Sequence, residues 1–238
     1  MICFLTSNTV MPDTNTLNPA NGFIDELRNC LPESCRALVI CSDPVSFEIT
    51  DYYSGLLKES FEEEGFVFEN FVILDDRNYE CASELIYNSN LIVLSGGHVP
   101  TQNAFFVKIG LKELLKNYQG IIIGISAGSM NSAELVYAQP EAEGEGIDES
   151  YVKFMEGLGL TEVMILPHYQ QVKDDILDGM RLFEDITYGD SYGHTFHVFP
   201  DGTYLYINEG IQEIRGECYV IEDGQIKKIA EEGDVVNP

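Results

Sequence analysis

The chain has 238 residues, 45% of them hydrophobic, which is ordinary for a packed globular protein and too much for a disordered one. Forty acidic side chains against 13 basic ones give a formal charge of −27, a surface that repels phosphate backbones and argues against a nucleic-acid partner. The longest apolar stretches, such as Leu91–Leu94 and Ile121–Ile123, fall far short of the ~20 residues that cross a bilayer, so no membrane-spanning segment is expected.

Short apolar runs alternate with amphipathic stretches, the pattern of a mainly parallel α/β sheet flanked by helices. Ile2–Thr6 reads as a buried strand and not as a signal peptide, because no basic residue precedes it and polar residues follow at once. Helical spacing of Phe23, Ile24, Leu27 and Leu31 predicts a helix over 21–31. Strands are expected at 37–41, 68–74 and 91–94, with helices over 51–64, 80–87 and 103–117. The isoleucines of Gly120–Gly124 mark a central strand covered on both faces. A helix from Ala127 to about Val136 follows, then an acidic loop from Gln139 to Ser150. Val163–Leu166 is a further strand and 173–183 a further helix. From His194 the period shifts towards two, with turn signals at Pro200-Asp201-Gly202 and Asp223-Gly224, so antiparallel strands are expected near the C-terminus. No repeat or linker interrupts the pattern, and one domain over 1–238 is the economical reading. Six scattered cysteines without a CxxC pair suit a reduced, cytoplasmic setting.

The strongest chemical signal is Gly124-Ile125-Ser126-Ala127-Gly128, a G-x-S-x-G between an apolar strand and a predicted helix. Such a turn projects the serine hydroxyl near a helix N-terminus and aims the Ala127 N–H at a substrate oxyanion. The bland alternative is a turn whose small residues serve packing alone. Of four histidines, His168 directly follows a strand in Leu166-Pro167-His168-Tyr169. It therefore falls on the sheet edge that also carries Ser126. Ser95-Gly96-Gly97-His98 belongs to the same edge, with Gly97 suited to donate a second N–H and His98 to touch substrate. An acid that orients the histidine is expected in the loop 139–149, where the carboxylates are too many for the residues alone to select one. The histidines lack ligand-pair spacing and the acidic loop lacks a calcium-loop pattern, so no metal and no cofactor are expected.

Gly96-Gly97, Gly124-x-Ser126-Ala127-Gly128 and Pro167-His168-Tyr169, in this order, resemble the peptidase E (aspartyl dipeptidase) family. Cyanophycinase belongs to the same group, whose fold is related to class I glutamine amidotransferases. The resemblance covers most of the chain and implies a flavodoxin-like sheet and a serine peptidase (a hydrolase) acting on small peptides. It makes Ser126 the nucleophile, His168 the base and the N–H groups of Gly97 and Ala127 the oxyanion donors. It favours Glu141 as the orienting acid, with Glu143 close behind. The chain departs from the family in carrying His98-Val99 where Asn-Thr is usual, and only Lys173 and Arg181 are cations near His168, so aspartyl specificity is not carried over. Two other readings stand beside this one. The first is amidotransferase-like transfer, which usually employs a cysteine at the elbow. The second is a binding or regulatory protein on the same scaffold.

Overall fold

A computed structural model describes residues 1–238. In chain order, β1 (Ile2–Thr6) leads to α1 (Phe23–Cys30), β2 (Cys35–Ile40), α2 (Phe47–Glu63), β3 (Phe68–Leu74), α3 (Ala82–Asn88) and β4 (Leu91–Leu94). Then come α4 (Val99–Lys108), α5 (Leu111–Leu115), β5 (Ile121–Ile125), α6 (Ala127–Met130), β6 (Leu135–Tyr137), β7 (Phe154–Glu156), β8 (Met164–Leu166) and α7 (Tyr169–Val172). The last part holds β9 (Ile176–Leu177), β10 (Met180–Arg181), β11 (Thr195–Val198), β12 (Tyr204–Asn208), β13 (Ile211–Arg215), β14 (Cys218–Glu222), β15 (Gln225–Ala230) and β16 (Val235–Val236).

The main sheet runs β16-β13-β12-β1-β5-β4-β2-β3. Its five strands from β1 to β3 are parallel, and the antiparallel strands β12, β13 and β16 extend it beyond β1. A smaller sheet, β15-β14-β11-β8, pairs β11 parallel to β8 and antiparallel to β14. The apolar runs of β2, β4 and β5 are explained by burial on both sides. Val39, Val93 and Ile123 meet α1 and α2 through Phe23, Leu27 and Phe61. Leu38, Ile92 and Ile122 meet α3 to α5 and the smaller sheet through Ile86, Phe105, Leu115 and Ile165. The fold is thus α/β, a largely parallel sheet flanked by helices with antiparallel strands added at its C-terminal end. No helix is long and apolar enough to cross a membrane.

Three helical expectations need correction. The helix read over 103–117 begins earlier, at Val99, and breaks at Gly110, whose φ of 66° starts α5 anew. The helix after Ser126 lasts only four residues. Ser132 Oγ donates back to the Gly128 carbonyl and Asn131 turns its amide to Val99 and Gln102, side-chain bonds that compete with helix continuation. The stretch 173–183 is a hairpin and not a helix: β9 and β10 flank Asp178-Gly179, both at positive φ, a dipeptide suited to a two-residue hairpin turn.

Candidate active site

The carboxyl ends of β1, β4 and β5 form one edge of the main sheet, the ligand-binding edge of an open α/β sheet. His168 was expected on that same sheet, but β8 belongs to the smaller one, and its carboxyl end brings His168 to the cavity beside Ser126 from across the gap between the two sheets. Ser126 sits at the abrupt turn from β5 into α6 with φ 50° and ψ −112°, a backbone state that costs a non-glycine residue on the order of 1–3 kcal/mol. Its neighbours hold it there. The Ser126 N–H donates to the Thr6 carbonyl at the end of β1, and its own carbonyl accepts from Ser129 and Met130. Gly128 packs so closely that a Cβ there would lie 2.2 Å from the Leu94 carbonyl oxygen of β4. Gly97, at φ 145°, occupies a conformation that other residues rarely adopt, and a Cβ would press on Ser42. The Gly97 N–H donates to no protein carbonyl.

A cavity of about 200 Å³ opens at this edge, lined among others by Ser126, His168, Gly97, Glu141 and Pro167. Ser126 and His168 face the same space without a direct hydrogen bond, and catalytic bonds are often long before substrate tightens them. His168 is in the left-handed region, φ 59°, and is clamped from two sides. Its N–H donates to Ser7 Oγ at 2.7 Å, and its Nδ1 lies 2.8 Å from Asp201 Oδ1. Ser7, fully buried just past β1, in turn donates its hydroxyl to Asp201 Oδ1 at 2.7 Å. Gln171 supplies a further donor to Asp201 Oδ2 at 2.7 Å. A carboxylate on Nδ1 places the ring proton there and leaves Nε2 as the basic nitrogen. Burial alone would raise the Asp201 pKa, but the bond and charge of His168 and the Ser7 hydroxyl outweigh it, so the group stays below its ordinary range.

Asp201 is the carboxylate in contact with His168, and sequence reasoning did not single it out. It was visible only as part of a turn signal. Because β11 runs parallel to β8, with Val198 opposite Leu166, the residues after both strands emerge on the same edge. The expected acids are elsewhere. Glu141 lines the cavity but makes no hydrogen bond to His168, and Glu143 is exposed and outside the cavity lining. The Glu141 residue is open to solvent, yet its carboxyl end is crowded. Desolvation raises its pKa against the opposing charge of His98, the Val99 N–H and the charge of His168. His98, expected against substrate, does not line the cavity. Its Nε2 is 2.8 Å from Glu145 Oε1 and its Nδ1 is 2.7 Å from Thr101 Oγ1, so both ring nitrogens are engaged.

Those contacts brace the acidic loop. Glu145 Oε2 also accepts the N–H groups of Glu141 and Ala142, and the Asp178 carboxylate of the β9–β10 hairpin accepts those of Gly144 and Gly146. No group of three or more His, Cys, Asp or Glu side chains is arranged to hold a metal ion, and none of the six cysteines lines the cavity.

No curated protein sequence matches the chain. Among solved structures, a peptidase from an acI-B1 Actinobacterium superposes with a TM-score of 0.67 at 15% identity, covering 99% of this chain and 96% of that one. A "Putative Peptidase E Protein" from Listeria monocytogenes EGD-e superposes with a TM-score of 0.57, also at 15% identity, covering 96% and 98%. These likenesses establish the fold. The family model of peptidase family S51 matches residues 3–214, nearly the whole chain. Strand, elbow and sheet edge thus meet a family-wide sequence match, and the chain belongs to peptidase family S51, the serine-type peptidases of the peptidase E group.

Proposed function

We propose that the protein cleaves small peptides through an acyl-enzyme, with Ser126 as nucleophile, His168 as general base and Asp201 as the carboxylate that orients His168. The observation that carries this reading is the His168–Asp201 contact, held by Ser7, beside a serine on a strained elbow. In the proposed sequence, Ser126 Oγ bonds to the scissile carbonyl carbon as its proton passes to His168 Nε2. The carbonyl oxygen gains the negative charge and is met by the N–H groups of Gly97 and Ala127. The C–N bond then breaks and Nε2 returns the proton to the departing amine. Water repeats the attack, giving its proton to Nε2, and releases the acid and free serine. Asp201 stays ionised throughout and holds the imidazole in the required tautomer.

Amidotransferase-like transfer ranks lower, because no cysteine lines the cavity. The first test is a fluorophosphonate probe followed by peptide mapping. A single adduct on Ser126, lost in His168→Ala, is expected, and Ser126→Ala should abolish peptide hydrolysis. An unlabelled Ser126 across mildly acidic to mildly basic pH would sink the reading.

A further inference from the structure

The charges around the cavity are lopsided. Besides His168, its ionisable lining consists of Glu141 and, at the rim, the exposed Asp175, and no lysine or arginine lines it. The two nearby cations of the sequence do not help an anionic substrate: Lys173 is outside the lining, and Arg181 is committed to Asp185 at 2.6 Å. Glu141 enters no ion pair of its own. Its backbone is fixed by Glu145, and Glu145 is tied to His98, so the imidazole that could have neutralised Glu141 is already engaged. Six apolar side chains, Val99, Met130, Val172, Ile176, Leu177 and Leu182, also line the cavity, alongside the uncharged amide of Gln139.

Apolar side chains and one carboxylate without an ion pair in the same lining fit a particular ligand shape. A long side chain lays its methylenes against the apolar groups and carries its charged head to the carboxylate, as lysine and arginine do. A carboxylate-bearing side chain would instead meet like charge with no cation to pair it. The titratable groups facing Glu141 are His98, Glu145 and His168.

We infer that this cavity selects peptides carrying a cationic head next to the scissile bond, with Glu141 as the specificity-determining carboxylate. The inference rests on Ser126 being the peptidase nucleophile. The cation has two sources, a lysine or arginine side chain and the peptide's own α-ammonium, and the apolar lining favours the side chain.

The test is a set of dipeptides pairing lysine with its uncharged analogue norleucine on either side of the bond. Each is made with a free and an acetylated N-terminus and followed by amine release. The intact protein should cleave the lysine member at least about tenfold faster in kcat/KM on one side of the bond. Glu141→Gln should collapse that ratio through KM, and Glu141→Lys should turn the preference towards a glutamate-bearing peptide. Survival of the lysine advantage after acetylation assigns the cation to the side chain; lysine and norleucine peptides cleaved equally, with both rates falling on acetylation, assign it to the α-ammonium. Equal rates for all eight peptides, free and acetylated alike, would overturn the inference, as would a lysine preference unchanged in Glu141→Gln. Equal loss on lysine and norleucine peptides, confined to kcat, would overturn it too and return Glu141 to a catalytic role. In each of these outcomes fluorophosphonate labelling of Ser126 stays positive; absent labelling with no hydrolysis removes the peptidase reading itself and the inference with it.

Discussion

His168, Asp201 and Ser7 share one hydroxyl between them. Ser7 Oγ donates to the carboxylate while accepting the His168 N–H, so a single buried atom fixes both ends of the base assembly. Asp201→Asn preserves the shape but replaces an acceptor that favours the Nδ1–H tautomer. It should lower kcat by about 1,000-fold with little change in KM. Ser7→Ala leaves the charge in place and loosens the geometry, so a smaller fall of about tenfold is expected. Steady-state kinetics on one good substrate reads both, and equal kcat for Asp201→Asn and the parent would mean that another acid serves His168.

Among the elements, α6 matters for its closeness to β4. Gly128→Ala sets a methyl group 2.2 Å from the Leu94 carbonyl, where only backbone displacement can make room. A stability loss of about 3 kcal/mol is expected, with a thermal midpoint lower by about 6–12 °C in calorimetry. A variant as stable as the parent would show that α6 can move away from β4 without loss. The strand runs and the serine turn were legible in the sequence because their signals are local. Phe68–Leu74 and Leu91–Leu94 show as strands from apolar content alone, and the glycines around Ser126 announce the turn. The hairpin at Asp178-Gly179 carried an equally local signal that was outweighed by apparent helical spacing over 173–183. Asp201 was hidden for another reason. Its place depends on β11 pairing parallel to β8, a contact between residues about thirty apart that alternation in the tail does not disclose.

At the scale of the whole molecule, acid is the natural stress on a chain of charge −27. Most carboxylates are exposed, but His197 in β11 is 9% exposed and its Nδ1 has no partner. Burial pushes its pKa down to about 4, against a small opposing pull from Glu222. The unfolded chain takes up a proton near pH 6.5 that the folded chain refuses until about 4, so stability falls as pH drops through that window. Urea unfolding should lose on the order of 2 kcal/mol between pH 7 and pH 5 from this group, and His197→Leu should flatten that slope. An unchanged slope in the variant would assign the acid sensitivity elsewhere.

The central strand β1 has two neighbours, β5 on one side and β12 on the other, and β12 begins only three residues after Asp201. During synthesis the growing chain therefore acquires its elbow serine and histidine long before the strand that closes the sheet and the aspartate that precedes it. A ribosome stalled before residue 201 carries a polypeptide with an open β1 edge and an unoriented imidazole. On the proposed mechanism, a chain cut short before residue 201 holds the serine and the histidine but not the carboxylate that orients the imidazole, so such a fragment should label poorly with a fluorophosphonate probe.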